Sequence, residues 1–140
     1  FVRAADSAAD EKTAGQLGIP VGTPMLRISR LCTADGRPAI YCEDLVEKAK
    51  IRRSYTDAEL RQPIFDFLQK VCGLSSYLDL TDLRPVAASG DLAEVFQVPE
   101  GTPLLSMDEV DYDIDGAPVF VSREYFADGI FRHTVLRKKL

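Results

Sequence analysis

The chain has 140 residues, 46% of them apolar, which suffices for one domain with a hydrophobic core but not for two independent domains. Its formal net charge of −5 and pI near 4.9 argue against unaided nucleic-acid binding, which depends on neutralising phosphates with Lys and Arg. The three cysteines lack Cys-x-x-Cys spacing, so we expect no disulfide framework, metal site or cofactor. No apolar run reaches the roughly 18 residues of a membrane span.

The N-terminal segment is predicted to hold a strand over residues 1–5 and then a helix. A capping-box spacing over residues 7–10 marks the start of the helix at Ser7, and its end is expected near Leu17. Gly18 suits the left-handed position just after a helix. The next stretch therefore begins a new element.

That stretch occurs twice, at residues 19–30 and 98–109. The constant offset of 79 residues aligns Gly22 with Gly101, each within a Gly-Thr-Pro sequence. Both copies then run into an Asp-Gly pair followed one residue later by proline, and the later copy contains one extra residue. A repeat of this length predicts two related supersecondary units.

The first copy is predicted to form a β-hairpin in which residues 25–32 return through residues 39–45. Apolar and polar residues alternate in both segments, and the Asp-Gly pair between them is typical of a two-residue loop. Such a loop places Arg30 opposite Tyr41, with Glu43 on the diagonal and on the same face.

The second copy is predicted to form a matching hairpin from residues 104–112 and 119–126. Its extra residue fits a three-residue loop with glycine at the left-handed bulge position. This loop places Glu109 opposite Val121, with Arg123 on the diagonal. The two halves are then expected to carry an arginine and a glutamate at equivalent places, with the signs exchanged.

The segment between the hairpins is predicted to be helical over residues 57–61 and 63–72. Pro63 suits the first position of the second helix, whose apolar residues have core spacing, and Gly73 is expected to end it.

Three further elements follow around the second copy. A strand is predicted over residues 78–86, at a sheet edge or bulge because of Pro85. A short helix capped by Ser89 and ending at Phe96 corresponds to the helix before the first hairpin. Alternating apolar residues predict a last strand over residues 131–136.

Together these elements predict an α+β domain. Two strand–helix–hairpin units supply a mainly antiparallel six-stranded sheet, with the helices segregated to one side.

Charged side chains on an apolar sheet face cost several kcal/mol, typically on the order of 3, unless they are paired or given a ligand. One hypothesis is a structural set of salt bridges, Arg30 with Glu43 and Glu109 with Arg123, or the same groups paired between halves. The other is a polar pocket in which arginine binds a carboxylate or phosphate and glutamate accepts hydrogen bonds from hydroxyls or an amine. The residues alone leave both open.

The order of these signals resembles the UTRA domain, the effector-binding module of the HutC/FarR branch of the GntR transcription regulators. The motifs that carry the resemblance are Leu-Gly-Ile-Pro at 17–20, Ile-Ser-Arg-Leu at 28–31, Ala-Asp-Gly-Arg-Pro at 34–38 with the glutamate at 43, Ile-Phe-Asp-Phe-Leu at 64–68, the segment 87–103 and Tyr-Phe-Ala-Asp at 125–128. They span essentially the whole chain, residues 1–140, as a single UTRA-like domain.

The resemblance implies a fold similar to chorismate lyase, with a small-molecule effector between sheet and helices. It also implies a homodimer that reaches operator DNA only through an N-terminal winged helix-turn-helix. That domain is absent here, and Phe1 is an unusual natural start, so we expect the chain to be a fragment.

The resemblance assigns effector contacts to the positions of Arg30, Glu43, Phe65 and Phe126. With the charged and aromatic residues of the two hairpins added, the expected ligand-binding set is Arg30, Tyr41, Glu43, Phe65, Glu109, Arg123, Tyr125 and Phe126. No catalytic residue is expected.

The expected effector is an organic acid or a phosphorylated metabolite. Cys32 and Phe120 replace an arginine and an acidic residue of some sugar-phosphate sensors, which favours a smaller carboxylate or a more apolar acid. We expect a cytoplasmic, non-enzymatic, effector-sensing and dimerisation domain of a bacterial GntR-family regulator without membrane contact. The alternatives are a chorismate-lyase-like enzyme and a dimerisation module without a ligand.

Overall fold

A six-stranded antiparallel sheet organises residues 1–139, which are the residues that the computed structural model describes. Its strands are β1 (Val2–Ala8), β2 (Pro24–Ala34), β3 (Arg37–Glu47), β4 (Leu78–Ala87), β5 (Pro103–Tyr112) and β6 (Pro118–Ala127). The helices are α1 (Glu11–Leu17), α2 (Asp57–Leu60), α3 (Ile64–Phe67) and α4 (Asp91–Phe96), with a 3-10 turn at Lys48–Lys50 and a π-helical turn at Leu68–Cys72. The strand order β1-β2-β3-β6-β5-β4 confirms the predicted α+β class.

The predicted duplication is present in the hydrogen bonds as well as in the sequence. The two units are β1-α1-β2-β3 and β4-α4-β5-β6, with α2 and α3 between them. In the first unit the amide of Ala9 donates to the carbonyl of Thr23 at 2.9 Å, and 79 residues later Ala88 donates to Thr102 at 2.8 Å. The same backbone path therefore feeds both hairpins.

Each hairpin contains a β-bulge that the sequence did not predict. In the first hairpin the two-residue loop forms as expected, but the pairing shifts between Cys32 and Thr33 and leaves Ala39 as an extra residue. Arg30 consequently lies opposite Cys42, and the predicted pairing with Tyr41 is wrong. The second hairpin keeps its three-residue loop and shifts in the same way.

The second bulge leaves Val119 as the extra residue of β6. Glu109 therefore pairs with Ser122, and the predicted pairing with Val121 is wrong. Because side chains alternate along a strand, a slip of one residue moves every side chain of the return strand to the other face of the sheet. Arg123 accordingly does not share a face with Glu109.

The helices lie on both sides of the sheet, which corrects the prediction that they share one side. We call the side that carries Arg30 the front face and the opposite side the back face. Leu26 and Ile28 point to the front, where they pack with residues of α2, α3 and the π-helical turn. Met25 points to the back, where it packs against Leu17 of α1, and α4 packs on the same side with Leu104.

Helix starts and the last strand differ from the prediction in detail. The side chain of Asp10, rather than Ser7, caps α1 by accepting from the amide of Thr13 at 2.7 Å, because β1 continues to Ala8. Gly90 precedes α4 without a side-chain cap, so the predicted cap at Ser89 is wrong. Residues 131–136 form no strand.

Other predicted elements are confirmed. The helix of residues 64–72 begins after Pro63 and ends at Gly73, although its second half is π-helical. β4, which contains Pro85, lies at the sheet edge. No helix among residues 1–139 combines the length and apolar character that crossing a bilayer requires.

Alanine at either duplicated turn glycine is expected to destabilise the domain. Gly22 and Gly101 have φ angles of 85° and 86°, a region that side chains with a Cβ rarely adopt. We expect Gly22→Ala and Gly101→Ala each to lower the free energy of unfolding by about 1–2 kcal/mol in urea titrations. Gly15→Ala inside α1 is the matched control and should raise it by up to about 1 kcal/mol. Equal effects of all three substitutions would contradict this account.

Candidate functional site

Arg30 and Asp44 form a buried ion pair on the front face. Arg30 Nη1 contacts Asp44 Oδ2, and their side chains are only 11% and 2% exposed. Ser122 Oγ donates to Asp44 Oδ1 at 2.8 Å, and Arg30 Nε donates to the carbonyl of Leu60 at 3.3 Å. Burial raises the pKa of the Asp44 carboxyl, and the Arg30 charge opposes that shift. Each buried charge is thus compensated by the other, as a low-dielectric site requires.

The salt bridges hypothesised from the sequence are not found among the described residues. Arg30 pairs with Asp44 because the first bulge turns Glu43 to the back face. Arg123 on the back face lies 3.5 Å from the carboxylate of Asp10, beside α1. The sign exchange expected between the two halves therefore does not produce a cross of four paired charges.

Four carboxyl groups lie beside the Arg30–Asp44 pair on the front face. They are Asp79 of β4, Glu109 and Asp111 of β5, and Glu124 of β6, and we call them the acidic patch. No member of the patch forms an ion pair with any residue that the structure describes. This half of the front face is therefore acidic.

Two buried polar atoms on this face have no hydrogen-bond partner within residues 1–139. They are Arg30 Nη2 and Asp111 Oδ2, although Asp111 Oδ1 accepts a bond of 2.5 Å from Ser76 Oγ. A buried polar group without a partner costs about 1–3 kcal/mol, and native structures contain few of them. Such groups commonly mark a place that a ligand or an ordered water completes.

Three carboxyl groups of the patch have raised pKa values. Burial raises the pKa values of Glu109, Asp111 and Glu124, and that of Glu124 reaches about 7. After burial, the largest contribution at Glu124 comes from Glu109, followed by Asp44, Asp111 and Asp79. No group of three or more His, Cys, Asp or Glu residues among those described is arranged to hold a metal ion.

Aromatic side chains flank the acidic patch along the strands. At one end lies Phe65, at the start of α3, with 52% of its surface exposed. Its ring packs edge to face against Phe120, with the ring centroids 6.1 Å apart. At the other end Phe126 meets the rings of Phe131 at 6.1 Å and His133 at 4.5 Å. Phe126, Phe131 and His133 also line a cavity of about 270 Å³.

The structure divides the eight predicted site residues between two faces. Arg30, Phe65, Glu109 and Phe126 lie on or over the front face, whereas Tyr41, Glu43, Arg123 and Tyr125 lie on the back face. The sheet separates the two sets, so the eight residues do not line one pocket.

Sequence reasoning missed several front-face residues, namely Asp44, Asp79, Asp111, Ser122 and Glu124. Asp44 had a usable signal, because a carboxylate directly before Leu45 and Val46 stands inside an apolar strand. Placing Ser122 and Glu124 required the position of the second bulge.

The back-face residues form a structural network between α1 and the sheet. Arg123 donates to Thr13 Oγ1 at 3.3 Å, and Lys12 contacts Asp108 at 2.6 Å. The rings of Tyr41 and Tyr125 stack with their centroids 6.5 Å apart. These contacts support a role in packing for this side of the sheet.

Known proteins share this fold and, in part, this sequence. The UTRA domain family model matches residues 1–132, and no curated protein matches the chain. The ligand-binding domain of a candidate GntR-family regulator from Bordetella bronchiseptica has a TM-score of 0.84 and 22% identity, over 97% of this chain and 90% of that one. The effector domain of PhnF from Mycobacterium smegmatis has a TM-score of 0.84 and 19% identity, over 98% and 84%. A longer PhnF structure, which extends beyond this domain, has a TM-score of 0.84 and 20% identity. That match covers 98% of this chain and 61% of the PhnF chain.

Removing the Arg30 charge is expected to destabilise the fold strongly. Arg30→Met leaves Asp44 buried without a counter-charge, which should cost about 3 kcal/mol of unfolding free energy in urea titrations at pH 7.5. Arg30→Met/Asp44→Asn removes both charges and should recover most of that loss. Arg27→Met, an exposed neighbour on β2, is the control and should cost less than about 1 kcal/mol. A double variant as unstable as the single one would contradict the pairing.

The raised pKa of Glu124 predicts that stability falls as the pH rises from about 4.5 to about 7. In that window the folded state keeps a proton that the unfolded chain, with a pKa of 4.5, has released. Glu124→Gln should remove this loss and stabilise the domain at pH 8 by about 1–2 kcal/mol, allowing for solvent screening. Denaturation series from pH 4 to pH 8 measure the difference. Glu94→Gln on α4, which removes the same charge from an exposed site, is the control, and identical curves for the two variants would contradict the prediction.

Proposed function

We propose that this chain, which belongs to the UTRA domain family, senses a small-molecule effector within a GntR-family transcription regulator. The effector site that the geometry supports best is the front face between α3 and the strands β4, β5 and β6. Binding there would favour one arrangement of the full-length regulator over another, which requires the effector to bind the two arrangements with different affinity.

One observation carries this proposal: half of the front face is polar, partly exposed and incompletely paired. The other half, over β2 and β3, is closed by α2, α3 and the π-helical turn. Towards β4 the covering ends, leaving Leu83 52% exposed beside the acidic patch. Polar groups that converge next to exposed aromatic rings are typical of ligand sites rather than of a packed core.

The class of effector depends on Arg30. The expected organic acid or phosphorylated metabolite needs a free arginine, whereas Arg30 already neutralises Asp44. An acidic effector would have to compete with Asp44 for the guanidinium and sit next to the acidic patch. The arrangement therefore gives an anion weaker support than the sequence suggested.

The wider setting of the domain is also a proposal. PhnF is longer than this domain, and this chain covers 61% of the PhnF structure. By analogy we propose that a separate winged helix-turn-helix binds DNA, that the regulator is a homodimer, and that it acts in the cytoplasm. The acidic chain itself is poorly suited to contacting phosphates.

An enzymatic role is less well supported than sensing. A chorismate-lyase-like enzyme would hold its substrate carboxylates with paired arginines, and the position two residues after Arg30 is Cys32. Cys32 is exposed and cannot replace a second arginine. Arg30 is buried on the front face, but it is already bound to Asp44. We therefore propose that the domain is not an enzyme.

Thermal melting with a panel of carboxylate, phosphate, sugar and amine metabolites tests the sensing function. At least one compound class should raise the melting temperature by several degrees, because a ligand that binds only the folded state stabilises it. Phe65→Ala should weaken that shift, since it removes a wall of the front-face site at little cost in packing. Leu80→Ala, which truncates another exposed apolar side chain, on the back face of β4, should leave the shift unchanged.

Two results would contradict the proposal. One is a ligand shift that Phe65→Ala leaves intact and the back-face substitution Tyr41→Ala abolishes. The other is turnover of chorismate by the domain, which would favour the enzyme. Absence of any shift across the panel would favour a dimerisation module without a ligand.

A further inference from the structure

The internal duplication defines which residues of the second half correspond to the Arg30–Asp44 pair of the first. Arg30 lies opposite Cys42, and Asp44 is two residues further along the same face of β3. In the second half Glu109 lies opposite Ser122, and Glu124 is two residues further along the same face of β6. Glu109 therefore stands where Arg30 stands, and Glu124 stands where Asp44 stands.

The two equivalent places differ in charge. In the first half a guanidinium lies between the strands and is neutralised by a carboxylate. In the second half both groups are carboxylates, and the charges that act most strongly on Glu124 are all acidic. The second half thus lacks the cation that its counterpart contains.

From this difference we propose that the effector carries a cationic nitrogen, an ammonium or guanidinium group, that binds between Glu109 and Glu124. The inference rests on the proposed sensing function and names the chemistry of its ligand. The bound nitrogen would pair with the carboxylate of Glu124 as the guanidinium of Arg30 pairs with Asp44 in the first half. Charge-assisted hydrogen bonds to two carboxylates would hold it.

The surroundings favour an organic cation over a metal ion. The carboxylates of the patch are not grouped as a metal site, among the residues described, whereas the patch ends at Phe65 on one side and at Phe126 on the other. Aromatic faces attract organic cations, and a cavity of about 270 Å³ beside Phe126 offers room for an apolar part of the ligand.

A buried acceptor in the patch supports the same conclusion. Asp111 is 1% exposed, and its Oδ2 atom lacks a hydrogen-bond partner within residues 1–139. In its ionised form this carboxylate only accepts hydrogen bonds, so the group that completes Oδ2 in that form is a donor. An ammonium or guanidinium group supplies donors and no acceptors.

The chain's own basic residues do not fill this place in the structure. Arg132, Arg137, Lys138 and Lys139 in the C-terminal segment are exposed. None of them forms an ion pair with the acidic patch among the described residues. A cation bound at this place would therefore belong to another molecule.

Matched amines test the inference. Glucosamine and phenethylamine are compared with their N-acetyl derivatives, and cadaverine with its N,N′-diacetyl derivative, by thermal melting at physiological ionic strength. Each acetylated control lacks every ammonium group of its partner. At least one amine should raise the melting temperature by several degrees, and its acetylated partner should not. Salt at this concentration screens non-specific attraction to an acidic protein.

Two double variants locate the binding. Glu109→Gln/Glu124→Gln should weaken binding of the amine at least tenfold. Asp82→Asn/Glu94→Gln, which removes two charges from exposed positions of β4 and α4, should leave binding unchanged. Removing like charges should not unfold the first variant, and its melting temperature without ligand, expected to be at or above that of the wild type, verifies this.

Several results would overturn the inference. They are the absence of a shift with all three amines, a shift that survives in Glu109→Gln/Glu124→Gln, and an equal loss in the control variant. A shift with succinate or glycerol 3-phosphate that Phe65→Ala weakens, without any amine effect, would overturn the cationic ligand and leave the sensing function standing. Failure of both groups of compounds would remove the sensing function as well.

Discussion

The register of the two hairpins is the constraint on which the rest of this domain depends. One extra residue in each return strand, Ala39 and Val119, decides which side chains of β3 and β6 meet those of β2 and β5. Since the two bulges are equivalent, both halves keep the same alternation and the sheet continues through the pairing of β3 with β6. The bulges bring Asp44 to Arg30 and Glu124 to the side of Glu109. Without the first bulge, Glu43 rather than Asp44 would share the face of Arg30.

The sequence predicted the parts of the fold that local chemistry determines. The duplicated Gly-Thr-Pro turns, the hairpin loops, the stop at Gly73 and the edge position of β4 all follow from residues with restricted or unusual backbone preferences. The bulges have no comparable signature, because Ala39 and Val119 are ordinary apolar residues that pack into the core. The side of the sheet on which each helix lies was equally hidden, since amphipathicity shows that a helix is covered but not by which face.

The candidate site was predictable to the extent that it did not depend on register. Arg30 and Glu109 belong to the outgoing strands, before either bulge, and both were placed on the front face correctly. Glu43 and Arg123 belong to the return strands and were placed on the wrong face. The register shift of one residue in each hairpin therefore changes the character of the front face. The sequence predicted a site that binds anions, whereas the structure has one neutralised arginine and an excess of carboxylates there.

The helices cover the front face of the first strand–helix–hairpin unit more fully than that of the second. The two copies therefore differ in what they contribute to the domain. The first copy contributes Leu26, Ile28 and Val46 to the core that α2, α3 and the π-helical turn close. The second copy leaves its corresponding surface less covered, and the burial of Glu124 together with repulsion from neighbouring carboxylates lowers stability near neutral pH. Substitutions that change ligand preference can therefore accumulate in the second copy while the first supplies the reserve of stability that tolerates them. This separation makes the domain a scaffold in which specificity can change without loss of the fold.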